Sequence, residues 1–418
     1  MCPSRNGPPR HRAAPAGGGT PLQPAGAAAE GYARPSISAR RWREVLGRSE
    51  SRWPVAIEEW EAAARAVLGA GPRGYVFGGA GSGATAEANV EAFARWHLAP
   101  RMFATPTARD LSVSMLGQTF PTPLFLAPVG VLTIVHPDGD LAAAAARDLE
   151  MTYVVSTAAS EPMESVMTST PGLNSWYQLY WISDRDLTAS FVDRAKSAGY
   201  GAIVVTADTP MLGWREHDLS NAYSPFAHGH GIGQFVSDPI FRAKLDFDPD
   251  RDRGRAGNEM MRIFANPGLE WADLRWLREL TDLPILLKGV LRADDARRAL
   301  DAGIDGLVVS NHGGRQVDGS VSALDALIGV RAAVGPDVTV LLDGGIRRGS
   351  DVVKAIALGA DSVFVGRPYV CGLAVGGAAG AYEVLANMQA EVDSVLALSG
   401  HGRLADLGPD SFATTGRG

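Results

Sequence analysis

From about residue 123 onward the hydrophobic positions come in short unbroken runs, without the alternation of a half-exposed strand. Eight such runs occur, at 123–129, 152–156, 176–180, 202–208, 284–289, 306–311, 339–345 and 362–368. Continuous apolar runs suit strands buried on both faces, as in parallel sheets. Between them lie stretches with helical spacing. Residues 138–151 are rich in alanine, and 183–198 opens on Ser-Asp-Arg-Asp, which offers an N-cap and first-turn acids. The stretch 292–302 is charged on one face, and 348–360 begins at a Gly-Ser-Asp cap signal and ends at Gly359. Eight strand–helix units in about 270 residues predict a (β/α)8 TIM barrel, of the α/β class, with the barrel proper at about 123–400.

Two regions fall outside this rhythm. Residues 36–122 are expected to pack as an N-terminal helical segment around the barrel. One connection, after the fourth strand, runs for roughly sixty residues and contains AYSPFAHGHGIGQFVSDPIF. Loops of that length in a compact domain are functional lids or mobile segments. Residues 1–35, rich in Pro, Gly and Ala, have too little apolar surface to offset the entropy of ordering and are expected to be a disordered extension. Residues 36–418 then form a single domain.

Composition narrows the class. Apolar residues make up 46% and charged residues 20%, as in a globular protein with a sizeable core. The net charge of −7 argues against nucleic acid or an anionic membrane as partner. No run of about 18 apolar residues predicts a membrane span. Two cysteines, Cys2 and Cys371, fit a reducing, cytoplasmic compartment better than a disulfide framework. No spacing of Cys, His or acids predicts a metal site.

Barrel enzymes carry their sites at the C-terminal ends of the strands. Here those positions are polar: Gly130, Thr157, Gln178 with Tyr180, Thr206 with Asp208, Lys288, Ser310-Asn311-His312, Asp343 with Arg347, and Gly366-Arg367. The glycines and arginines after strands seven and eight (Gly345, Arg347, Gly366, Arg367) occupy the usual phosphate position of this fold. In SNHGGRQ, His312 and Arg315 share one turn, which would hold a carboxylate beside a proton acceptor. Asp208 could orient His312, and Arg215 could add a second carboxylate contact. Lys288 ends an apolar run and needs a partner. A Schiff base, a phosphate contact and a positive charge beside an electron-accepting ring all stay open for it. GGAGSGA, at 78–84, has GxGxxG-like spacing but follows no strand, so it is read as a loop and not as a dinucleotide site.

SNHGGRQ followed by DGGIRRGSDVVKAIALGA and GRP, with YQLY, TADTP-LG-RE and LLKG upstream, resembles the signature of the FMN-dependent 2-hydroxy-acid oxidase and dehydrogenase family over roughly residues 55–410. NVEAFARWHLAPRM, LGWR, SDPIF and the long loop are similar to its lactate 2-monooxygenase branch. The resemblance implies FMN as cofactor and a small L-2-hydroxy acid, lactate foremost, as substrate. It implies O2 as acceptor and a homotetramer or homo-octamer. It makes His312 the base, supported by Asp208. Arg315 and Arg215 become the carboxylate grip with Tyr75, and Tyr180 a hydrogen-bond partner of the hydroxyl or carboxylate. Lys288 becomes a positive charge at the flavin. The same resemblance gives Gln178, Thr206, Thr157 and Ser310 as flavin contacts, with Pro128, Val129 and Gly130 running along the ring. Asp343 contacts the ribityl chain, and Gly345, Arg347, Gly366 and Arg367 the phosphate. Glycine at 130, where many oxidases of the family have alanine, leaves room at the ring and matches the branch that decarboxylates its product. Other outcomes are a larger or aryl 2-hydroxy acid, a dehydrogenase passing electrons to a quinone or protein, and a non-redox phosphate-binding barrel.

Overall fold

A computed structural model describes residues 36–48 and 53–413. The expected disordered extension, 1–35, lies outside the described residues. Four helices come first: α1 (Ile37–Leu46), α2 (Ile57–Val67), α3 (Ala70–Phe77) and α4 (Ala84–Ala94). A hairpin of β1 (Val113–Met115) and β2 (Gln118–Phe120) follows. The helical expectation for 36–122 missed it. Its turn places Leu116 and Gly117 at φ of 51° and 73°, the two positive angles of a type I′ turn.

Eight parallel strands then close a barrel: β3 (Leu124–Leu126), β4 (Thr152–Ser156), β5 (Ser175–Tyr180), β6 (Ile203–Thr206), β7 (Ile285–Val290), β8 (Gly306–Val309), β9 (Thr339–Asp343) and β10 (Ser362–Val365). β10 pairs with both β3 and β9, which completes the ring. All eight predicted runs are strands, and most are shorter than their apolar runs. The reason is local geometry. Gly344 and Gly345 turn to φ of 98° and 82° and cannot continue β9. Arg367 and Pro368 open the last helix, where proline is tolerated in the first turn. The residues released from the strand ends form the rim of the barrel.

Inside the barrel, Phe125, Trp176, Leu286, Val308, Leu341 and Phe364 fill the lumen. Met115 and Phe120 of the hairpin join this cluster, and Phe120 packs edge-on against Trp176 with centroids 5.8 Å apart. Phe125 and Trp176 lie near the starts of their strands, so the hairpin plugs the N-terminal mouth. The opposite mouth is left for chemistry.

The final helix, Arg367–Leu398, is long and apolar enough to cross a membrane by length and composition, although no run of 18 apolar residues announces it. Two thirds of its most apolar window (67%) is buried inside the protein, so its apolarity serves packing against α2 and neighbouring helices. The long connection after β6 is not structureless. It carries a helix Arg253–Phe264, a 3-10 turn Phe226–His228 and three shorter helices before the helix Asp273–Leu280.

Candidate active site

The turn after β8 carries the base candidate. His312 sits at φ of 58°, a left-handed conformation that a bulky residue adopts only when its surroundings hold it there. Those surroundings are explicit. Asn311 and Asn89 of α4 exchange amide hydrogen bonds of 2.8 Å in both directions. Asn311 Oδ1 also accepts from Gly314 N at 3.0 Å. The glycine-rich run 78–83 packs backbone to backbone on the same turn, with Ala80 N donating to Gly314 O at 2.8 Å. It is a loop between α3 and α4, and its glycines allow this close approach.

His312 Nδ1 lies 2.8 Å from Asp208 Oδ1, and Nε2 lies 3.4 Å from Tyr180 Oη. Thr209 Oγ1 donates to the same Asp208 oxygen at 2.8 Å. Burial raises the Asp208 pKa, but His312 and Lys288 outweigh it and hold the group at about 2. Burial lowers the His312 pKa, partly offset by Asp208. The pair is therefore an ionised carboxylate behind a neutral imidazole. Burial also pushes the Tyr180 hydroxyl well above its usual pKa, so it stays a donor.

Lys288 finds the partners its burial demands. Its ammonium is 2.9 Å from Asp343 Oδ2, 3.9 Å from Asp208 Oδ2 and donates to Ser310 Oγ at 2.8 Å. Burial opposes its charge, but the two carboxylates more than restore it. A permanently charged, doubly paired lysine does not suit a Schiff base, which needs the neutral amine.

The four arginines contrast with this. Arg315 Nη1 donates to the carbonyls of Tyr75 and Gly78 at the end of α3. Its guanidinium lies 4.8 Å from the centre of the Tyr75 ring. Arg215 donates to Arg315 O and Gln316 Oε1, both at 3.2 Å, and approaches Asp218 only at 4.0 Å. Burial and Arg215 together lower the Arg315 pKa to about 10. At the other end, Arg367 donates to Val76 O and Gly78 O and forms no ion pair among the described residues. Burial, Arg347 and Arg315 lower it to about 9. Arg347 meets Glu61 of α2 at 2.7 Å. Four cations gathered with two carboxylates, Glu61 and Asp218, are poised for anionic ligands.

These groups share one cleft at the C-terminal mouth, enclosing about 1230 Å³ with open solvent at its mouth included. Its lining takes in Tyr75, Pro128, Val129, Gly130, Tyr180, Arg215, Lys288, His312, Arg315, Asp343, Gly345, Arg347, Gly366 and Arg367. Phe226 and Phe264 also line it, brought in by the long connection.

Residues 64–414 match the family described as FMN-dependent dehydrogenase. The chain belongs to this family. It is 41% identical over 353 residues to an L-lactate oxidase of Lysinibacillus sphaericus (strain C3-41), covering 84% of this chain and 91% of the relative. It is 40% identical to 2-hydroxyacid oxidase 1 of Homo sapiens, covering 83% and 93%. The crystal structure of a mandelate oxidase superposes with a TM-score of 0.73 at 37% identity, covering 84% of this chain and 96% of the other.

The cleft fits the FMN that this family uses. Arg367, in no ion pair among the described residues, and its neighbour Arg347 suit a phosphate dianion. Asp343 Oδ1 is buried without a hydrogen-bond partner and is free to accept from a hydroxylated chain. A Cβ on Gly366 would have only ordinary contacts, so the backbone there is open to the cleft.

Thr157, Gln178, Thr206 and Ser310, expected as flavin contacts, are buried at the strand ends beside the cleft, in hydrogen bonds that reach its wall through Tyr180 and Lys288. Gln178 Oε1 accepts from Ser156 Oγ at 2.9 Å, and Gln178 Nε2 donates to Thr206 Oγ1 at 2.9 Å. Thr157 Oγ1 accepts from Tyr180 N at 3.0 Å. Asp208 likewise lies behind His312, against Nδ1.

Gly130 also reads differently in three dimensions. A Cβ there would meet Ala158 Cβ at 2.7 Å and Ala158 O at 2.9 Å, so glycine serves close backbone packing and not room at the ring alone. Sequence reasoning missed Gln316, whose amide donates to Asp208 O and Met211 O while accepting from Arg215. It stands beside Arg315 in the signature turn, and that adjacency was the available signal.

Proposed function

We propose that the protein oxidises a small L-2-hydroxy acid, L-lactate foremost, to the 2-keto acid with O2 as acceptor. The observation that carries this reading is His312, held 2.8 Å from Asp208, in one cleft with Arg315 and Arg215. Arg315 and Arg215 bind the substrate carboxylate, and Tyr75 covers their guanidinium faces. Tyr180 donates to the hydroxyl or carboxylate end. His312 Nε2 accepts the proton that leaves with the two electrons, and Asp208 stabilises the resulting imidazolium through Nδ1. FMN, when bound, supplies the two-electron acceptor and delivers those electrons to O2. Lys288 keeps a fixed positive charge at the cleft wall. Arg347, Arg367, Gly345 and Gly366 bind the phosphate, and Asp343 the ribityl chain.

The oxygen outcome belongs to the same proposal. The long connection, which brings Phe226 and Phe264 to the cleft, is tied to the loops after β3 and β4. His230 Nδ1 lies 2.8 Å from Thr133 Oγ1, and Gly233 N donates to Ala159 O at 2.9 Å. Such a wall retains the keto acid while hydrogen peroxide forms. Peroxide then decarboxylates it, so lactate and O2 become acetate, carbon dioxide and water. Acetate and carbon dioxide in step with O2 consumption are expected. Free pyruvate and hydrogen peroxide in stoichiometric yield would assign a simple oxidase instead.

A larger, aryl acid is the second reading. Phe264 packs on Tyr180 with ring centroids 4.8 Å apart and Phe226 stands next to it, so the wall beside the base is aromatic. A mandelate oxidase has been solved with benzoyl-formic acid. Comparing kcat/KM for L-lactate and (S)-mandelate separates the two readings. Assembly as a homotetramer or homo-octamer and a cytoplasmic location complete the proposal.

A further inference from the structure

Three arginines of the cleft, Arg315, Arg347 and Arg367, are held from one side by the N-terminal segment. The carbonyl of Gly78 accepts from both Arg315 and Arg367, and Val76 O accepts from Arg367. Backbone carbonyls orient a guanidinium but leave its charge intact. Glu61 is the exception. Among the described residues it is the one carboxylate in an ion pair with an arginine of the phosphate end, 2.7 Å from Arg347 Nε. The contact is close but not aligned as a hydrogen bond, and Glu61 Oε1 is buried with no other partner. Arg347 spends a further hydrogen bond on Ile346 O. The neighbouring pair Glu58 and Arg348 ties the same helix to the same loop at 2.6 Å.

We propose that Glu61 is the resident counter-charge of the phosphate site, sharing Arg347 with the cofactor phosphate. Two buried guanidiniums side by side repel one another, and a single negative charge between α2 and the turn after β9 relieves that strain when FMN is absent. The same charge opposes a phosphate dianion. Glu61 therefore favours the FMN-free fold and limits the affinity for FMN, acting through Arg347 as a positioning residue. The proposal rests on the reading of Arg347 and Arg367 as the phosphate end.

Glu61→Gln keeps an oxygen toward Arg347 and removes the charge. Three quantities are measured on the full chain stripped of FMN and reloaded: the Kd for FMN, the Kd for riboflavin, and the Tm of the FMN-free protein. E61Q is expected to bind FMN about two- to fivefold more tightly, the scale of a partly exposed charge pair. Riboflavin affinity, which involves no phosphate, is expected to stay unchanged, and the FMN-free Tm to fall. Unchanged or weaker FMN binding by E61Q, or an equal shift for riboflavin, would overturn the proposal. Arg347→Gln in the same assay keeps the two readings apart. It should weaken FMN and spare riboflavin if the phosphate lies there. If R347Q behaves so and E61Q does not, only the role of Glu61 is lost. If R347Q leaves FMN binding intact, the phosphate assignment itself is wrong. Should E61Q fail to fold, Glu61→Asp, which keeps the charge, must leave the FMN-to-riboflavin preference near that of the parent protein.

Discussion

The floor and the two ends of the cleft handle positive charge in opposite ways. On the floor, Lys288 is matched by Asp343 and Asp208, and His312 by Asp208. At the ends, Arg315 and Arg367 are held by carbonyl oxygens, with burial and repulsion from neighbouring arginines lowering their pKa values. Matched charges fix geometry and stay put through a reaction. Unmatched charges raise the energy of the empty protein and are relieved by anionic ligands. The difference separates residues that set up the chemistry from residues that hold what reacts.

The largest break in this comparison is His312→Gln. It is expected to keep yellow, FMN-loaded protein and to slow flavin reduction by substrate about 10²–10⁴-fold, as removal of a positioned base does. Stopped-flow absorbance under anaerobic conditions measures it, and normal reduction removes the base assignment. Lys288→Met leaves Asp208 and Asp343 facing each other without their cation. A loss of about 3–5 kcal/mol in denaturant unfolding is expected, the scale of breaking a buried pair. Arg315→Met should show the opposite sign, with the stability of the FMN-free protein kept or raised, while the FMN-loaded enzyme loses about 2–5 kcal/mol of transition-state stabilisation in kcat/KM. If both variants destabilise alike, the contrast between matched and unmatched charge fails.

Gly130→Ala sharpens the account of packing. Its Cβ must displace Ala158, so a loss of about 1–3 kcal/mol is expected from overpacking. A neutral effect on Tm would return Gly130 to a role at the ring alone.

The smallest effect concerns pH. Burial depresses His312 below its ordinary value of 6.5, so the acid limb of kcat/KM is expected below that pH. Asp208 raises the His312 pKa, so Asp208→Asn should move the limb lower still. An upward shift would contradict the pairing.

Much of this was legible in the chain. The eight unbroken apolar runs point to parallel strands because burial on both faces leaves no alternation, and eight nearly equal units favour closure over a doubly wound sheet. The polar residues released at their ends gave His312, Arg315, Lys288, Arg347 and Arg367 by position alone. Two kinds of feature were not legible. The hairpin of β1 and β2 is too short to show a period, and Met115 and Phe120 read as core only once a barrel mouth needs filling. Partnerships across long separations were also hidden. Glu61 with Arg347, Asn89 with Asn311 and Gln316 with Asp208 are products of closure. Phe226 and Phe264 lie in an irregular connection, where spacing says nothing about which side chain turns inward. Thr157, Gln178, Thr206 and Ser310 were legible as polar residues at strand ends, while the hydrogen bonds that bury them were not.

The most direct test of the central proposal is the visible spectrum of the FMN-loaded protein under anaerobic conditions, with L-lactate added and D-lactate as control. Bleaching of the flavin bands by L-lactate alone is the predicted result. A flavin that stays oxidised with L-lactate, (S)-mandelate and other L-2-hydroxy acids would contradict it.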